Sequence, residues 1–162
     1  MTATTREEHL YMAKITEQTE RYEDMLDAMN KVVHANADLT VEERNLLSVA
    51  YKNTIGSRRT AWRILGSIEK KEEQKGSKNI GLLRGYQEKI KGELNRYCNE
   101  IIDLIDTQLI QKASNAEAKV FYHKMKGDYY RYISEFTTGA ENTKAGDNAY
   151  KAYGDATTLA EQ

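Results

Sequence analysis

From Leu83 to Leu104 the residues Leu83, Tyr86, Ile90, Leu94, Tyr97, Ile101 and Leu104 follow one another at steps of three or four. A strand alternates with period two, so this spacing keeps its apolar side chains on one face only as an α-helix. Nothing interrupts the seam, because the 162-residue chain contains no proline. A proline inside a helix would cost about 3 kcal/mol, so helices elsewhere in the chain can also run long. A β-rich chain would need turn chemistry and β-branched alternation that this sequence lacks. With 40% hydrophobic and 30% charged residues, the composition suits helices buried on one side and solvated on the other. The length suits one domain with a sizeable core.

Helix starts are marked by capping boxes, in which a Ser or Thr oxygen takes an orphan amide and a Glu reaches back. Thr5 with Glu8, Thr40 with Glu43, and Ser114 with Glu117 have the required spacing. Together with the periodicity they predict six helices: A up to a break near Gln18–Glu20, B over about 21–34, C over 41–73, D from the early eighties to about Lys112, E over 115–136, and F. Polar stretches "HANADL" (34–39), "EEQKGSKNIG" (72–81) and "TTGAENTKAGDN" (137–148) are expected as loops, with helix F after the last. Short loops make an antiparallel helical array, an all-α fold. No internal repeat is visible.

A net charge of −1 leaves the whole chain without attraction for nucleic acid or an anionic membrane, so any anion site must be a local cluster. Cys98 is alone, which excludes an internal disulfide and fits a reducing compartment. "MTATTREEHLYMAK" has no apolar signal core, and no run reaches membrane-spanning length. His9, His34 and His123 have no metal-ligand spacing. No nucleophile motif, phosphate-binding glycine loop or catalytic carboxylate pair stands out. The expectation is a soluble, intracellular, non-enzymatic protein without metal or cofactor.

The local cluster exists. In "KNTIGSRRTAWR" (52–63), Lys52, Gly56, Arg59 and Arg63 fall on one helical stripe, opposite Leu46, Leu47, Ala50, Tyr51, Trp62 and Leu65. A solvated helix face usually interleaves acids at i, i+4, yet none occurs between Lys52 and Arg63. Gly56 costs about 1 kcal/mol in a helix interior and is expected to leave room for close approach. Arg58 points to the apolar side and should be paired there. In "KMKGDYYRYISEF" (124–136), Lys124, Asp128, Arg131 and Glu135 share a second stripe with Tyr132 at its edge; its acids are expected to hold Lys124 and Arg131. If both stripes face one groove, Arg59 and Arg131 present two guanidinium forks to one phosphate, with Lys52 as point charge and Tyr132 as hydroxyl donor.

These stretches carry a family likeness. "RNLLSVAYKNTIGSRRTAWR", "KVFYHKMKGDYYRY", "ERYEDM" and "SNAEAKVFY" resemble the 14-3-3 proteins, phosphoserine/phosphothreonine-binding adaptors, and the likeness covers essentially the whole chain. It implies phosphate binding by Lys52, Arg59, Arg131 and Tyr132, with Arg63 and Lys124 assisting in the groove. It implies phosphorylated client proteins as partners, and dimerisation with itself or with another isoform. The implied interface is Ile15, Thr19, Arg21, Asp24, Ala61, Leu65, Ile68, Tyr86, Lys89 and Glu93, with cross-subunit pairs Arg21–Glu93 and Asp24–Lys89. A cytoplasmic location is implied, with or without a nuclear pool. Ala61 stands where many relatives carry a phosphorylatable serine, so that switch is not expected.

Family protomers have nine helices, and residues 1–162 correspond to the first six, read as a single 14-3-3-like domain. The expectation that follows is a groove with its charge grip but without its opposite wall, hence weaker affinity and some self-association. Two other readings compete with the adaptor. One is a dimerisation scaffold with weak or absent phosphopeptide binding. The other is a tetratricopeptide-like array, suggested by "NAYKAYGDA" and "GDYYRYI" but opposed by the missing 34-residue period.

Overall fold

The computed structural model describes residues 5–162, and residues 1–4 lie outside it. Six principal helices follow in order: α1 Arg6–Gln18, α2 Tyr22–Ala35, α3 Val41–Lys75, α4 Ile80–Leu104, α5 Ala116–Phe136 and α6 Gly139–Ala160. A π-helical segment, Ile105–Leu109, and one further α-turn, Ile110–Lys112, extend α4. Each of α1–α2, α2–α3, α3–α4 and α5–α6 packs as a neighbouring pair, and α5 also leans on α4 and α3. Links of two to five residues between such pairs enforce an antiparallel, all-α array.

Local chemistry explains most boundaries. Thr5 and Thr40 both make complete capping boxes, with Glu8 and Glu43 respectively. The break after α1 passes through Glu20, which adopts a left-handed φ of 58°. Glu43 also accepts two bonds from Arg6, at 2.8 and 2.9 Å, tying α1 to the start of α3.

Three expected boundaries move. The third cap is Asn115, whose Oδ1 accepts from the Ala118 amide at 2.8 Å; Ser114 lies one residue too early. The 72–81 loop shrinks because α3 continues to Lys75 and ends at Gly76 in the left-handed region (φ 63°). Gly76 and Ser77 amides donate to Glu73 and Glu72 carbonyls, a Schellman closure that needs only one glycine. The largest change is at 137–148, read as loop but helical from Gly139. Its Gly, Thr and Asn content is poor in helix propensity, but Ala145, Ala149, Ala152 and Ala156 form a buried seam at helical spacing. Asn142 also caps the end of α5 by donating to the Ser134 and Thr137 carbonyls. Tertiary packing overrides propensity there.

The core is contiguous. Met25, Met29 and Val32 of α2, Leu47, Tyr51 and Ile55 of α3, and Leu94, Cys98 and Ile101 of α4 meet Tyr122 and Tyr129 of α5. Gly127 makes room for the Tyr153 ring where α6 meets α5: a Cβ there would lie 2.6 Å from that ring, which would have to shift. Among the described residues, no helix is long and apolar enough to cross a membrane.

Candidate functional site

Aromatic packing sets α5 beside α3. Tyr51 meets Tyr129 edge-on with centroids 6.5 Å apart, Trp62 meets Phe136 likewise at 6.5 Å, and Tyr129 meets Tyr132 at 5.5 Å. With those faces locked, the two cationic stripes are brought together. Arg59 of α3 stacks on the Tyr132 ring, its Cζ 3.8 Å from the centroid, and Arg131 lies 5.1 Å from the same centroid. Lys52, Lys124, Asp128 and Tyr132 line a pocket of about 180 Å³ between the helices. Tyr132 is buried, and its ring is a cation–π platform for both arginines. The sequence suggested only its hydroxyl.

Acids modulate the cluster differently than their helix spacing implied. Glu135 does not pair with Arg131 or Lys124. It crosses to α3, where Arg59 Nε and Nη2 donate to its two oxygens, each at 2.8 Å. The planar guanidinium fork matches a carboxylate better than one-helix spacing does. This bond holds the Glu135 carboxyl below the usual carboxylate range. Asp128 sits 3.8 Å from Arg131 and accepts a 2.5 Å bond from the Tyr153 hydroxyl of α6. Burial first, then that bond to Asp128, pushes the Tyr153 hydroxyl up to about 12. Nothing in the sequence near Tyr153 announced this role.

Lys52, Arg63 and Lys124 are exposed, and none has a carboxylate within 4.0 Å among the described residues. The groove therefore sets five cations against two carboxylates. That local excess, in a chain with net charge −1, suits an anion with several acceptor oxygens.

Arg58 is paired on the opposite side, as its position on the wheel required. It donates to Glu23 at 2.5 Å, to Glu93 at 3.0 Å and to the Thr54 carbonyl at 2.8 Å, and stacks 4.9 Å from the Tyr97 ring centroid. Gly56 leaves the room expected of it, but in a different place. No atom crowds it, and it lines a hollow of about 580 Å³ against the α1–α2 turn; Lys52 borders both that hollow and the α3–α5 pocket, which Gly56 does not line. Glu20, Glu23 and Asp24 line it together with Arg21, Arg58 and the shared Lys52, so its lining is of mixed charge.

The residues assigned to an interface are only partly available in the single chain. Ile68 and Tyr86 are exposed, with Lys89 over the Tyr86 ring at 6.0 Å; Thr19 is exposed; Ile15 and Ala61 are half-buried; Leu65 is already buried. Arg21 pairs with its own Asp24 at 2.6 Å, and Glu93 is held by Arg58. Exposed Met12, Ile64 and Leu82 lie on α1, α3 and α4, which also carry interface residues. Among the described residues, no three His, Cys, Asp or Glu side chains gather as a metal site.

The fold and site define an all-helical protein with a cationic groove between two aromatic-locked helices. Residues 12–162 match the family described as 14-3-3 protein. The chain is 52% identical over 157 residues to the 14-3-3-like protein GF14 epsilon of Arabidopsis thaliana, covering 96% of this chain and 62% of that one. It is 54% identical to 14-3-3-like protein B of Vicia faba, covering 96% and 60%. With a 14-3-3-like protein of Pisum sativum the identity is 55% over 161 residues, covering 97% and 62%. The chain belongs to the 14-3-3 family. It spans about three fifths of the length of these relatives.

Proposed function

We propose that this chain is a phosphoserine/phosphothreonine-binding adaptor that docks phosphorylated segments of client proteins in the α3–α5 groove. The observation that carries this reading is the convergence of Arg59 and Arg131 on the ring of Tyr132, a residue that lines one pocket with Lys52. A phosphate monoester brings about −1.5 to −2 charges and three acceptor oxygens, and two guanidinium forks with one ammonium are matched to it. Tyr132 orients the forks, while Lys124 and Arg63 extend the field along the groove. Family membership supports the same reading. The protein acts by binding and performs no chemistry, and it works in the cytoplasm or nucleus.

Dimerisation with itself or another isoform completes the proposal. Exposed Ile64, Ile68 and Tyr86 on α3 and α4 support it, although Arg21, Asp24 and Glu93 would have to exchange internal partners for cross-subunit ones. The same apolar residues favour the scaffold as a second reading. The deciding experiment titrates a labelled phosphoserine peptide and its unphosphorylated twin into the chain and into Arg59→Glu. Selective binding that the variant abolishes is expected. A folded dimer that binds neither peptide would leave the scaffold.

A further inference from the structure

Along the Nε–Nη2 edge, Arg59 is already engaged. Both nitrogens donate at 2.8 Å to the two oxygens of Glu135, the fork geometry that arginine also offers phosphate. We propose that Glu135 is an affinity-determining residue of the groove, a built-in carboxylate that competes with an incoming phosphate for Arg59. This inference rests on the phosphate reading above.

The exchange follows from the pair's surroundings. The Arg59 and Glu135 side chains are 23% and 37% exposed, so water screens the pair only in part. Glu135 is ionised at neutral pH, as an ordinary carboxyl would be, and its bonds to Arg59 lower its carboxyl further. A ligand must therefore displace an intact fork before it can use that edge. A carboxylate ligand that takes the Nε–Nη2 edge exchanges one fork for another and gains nothing on that edge, while its ordering cost remains. A phosphate offers three oxygens and greater charge, so it can take Arg59 and still reach Lys52 or Arg131. Displaced Glu135 is not stranded, being partly exposed and within the field of Arg131 and Arg63. The other arm has no such latch: Asp128 is 3.8 Å from Arg131 and is engaged by Tyr153. Glu135 thus sets a threshold that weak, singly charged ligands do not cross.

The test titrates phosphoserine, glutamate and serine versions of one peptide into the wild type, Glu135→Gln, Arg59→Gln and the double variant. Competition predicts that Glu135→Gln tightens the phosphoserine peptide roughly threefold to tenfold and brings up binding of the glutamate peptide. In the Arg59→Gln background the gain should vanish. Weaker binding by Glu135→Gln would mean that the carboxylate merely positions Arg59, and would overturn the proposal. An undiminished gain in the Arg59→Gln background would also overturn it, since a general field effect needs no Arg59. A wild type unable to tell phosphoserine from serine would instead refute the phosphate reading itself. Should Glu135→Gln fail to fold, the wild type still decides. Its Arg59 Nε–H and Glu135 carboxyl resonances should both move on saturation with inorganic phosphate, and an unmoved carboxyl would sink the proposal.

Discussion

Arg58 and Arg59 are neighbours in sequence, both lie on α3, and both meet carboxylates, yet the molecule uses them differently. Arg58 uses all three guanidinium nitrogens on partners within the chain, Glu93, Thr54 and the exposed Glu23, bracing α2 and α4 against α3. Arg59 uses only Nε and Nη2, on a single acid of α5; its Nη1 donates to none of the described residues. Its ring contact, Tyr132, is shared with a second arginine. A cation fully satisfied by several elements is a brace. One held by a single exchangeable partner at a groove is equipped to receive a ligand.

The sharpest way to break this comparison is to truncate each arginine in turn. Arg58→Ala leaves Glu93 half-buried without its partner and removes a cation–π contact, so unfolding free energy should fall by about 3 kcal/mol. Phosphopeptide affinity of the folded fraction should stay within about twofold of wild type. Urea denaturation with parallel anisotropy titration checks both halves, and equal stability of the two alanine variants would refute the distinction. Arg59→Ala should show the reverse, about a 30-fold loss of phosphopeptide affinity, or 2 kcal/mol. Its stability should drop by less than about 1 kcal/mol, because the lost pair is partly solvated.

A third variant asks whether the groove depends on α6. Gly127→Ala drives a Cβ into the Tyr153 ring at 2.6 Å. The ring must swing away, at a cost of about 1–2 kcal/mol, and the Tyr153–Asp128 bond should be lost with it. A thermal melt unchanged by this substitution would show that the ring has room to yield.

The smallest effect is in pH. Arg6 holds the Glu43 carboxyl below its ordinary value of 4.5, chiefly through their hydrogen bonds. A depressed folded-state value contributes stability that is complete above 4.5 and lost as pH falls through the lower folded value. Acidification from about pH 5 to 3 should therefore weaken the fold, and Glu43→Gln should flatten that dependence in urea titrations. Glu135→Gln should flatten it less, since Glu135 is more exposed.

Much of this was legible beforehand because it is written in local intervals. Helix periodicity, the Thr5 and Thr40 boxes, and the separation of Arg58 from Arg59 all depend on residues within a few turns of each other. The same locality explains the failures. The seam of alanines in α6 reads as weak helix until α5 is there to cover it. Ser114 and Asn115 are both good caps, and the structure places the second at the start of α5. Gly56 was placed by wheel geometry on the cationic stripe, but what stands across from it is decided by the α1–α2 turn.

The sequence by itself determined that this chain is a six-helix array, that its cations are segregated, and which family it resembles, since spacing and motif are properties of contiguous residues. Only tertiary structure decided that Tyr132 bears both arginines, that Tyr153 bonds Asp128, and that Glu135 lies across Arg59. The last pair are 76 residues apart. No interval along the chain encodes such a meeting, because it is produced by aromatic packing of α5 on α3 and by the fork geometry of one guanidinium.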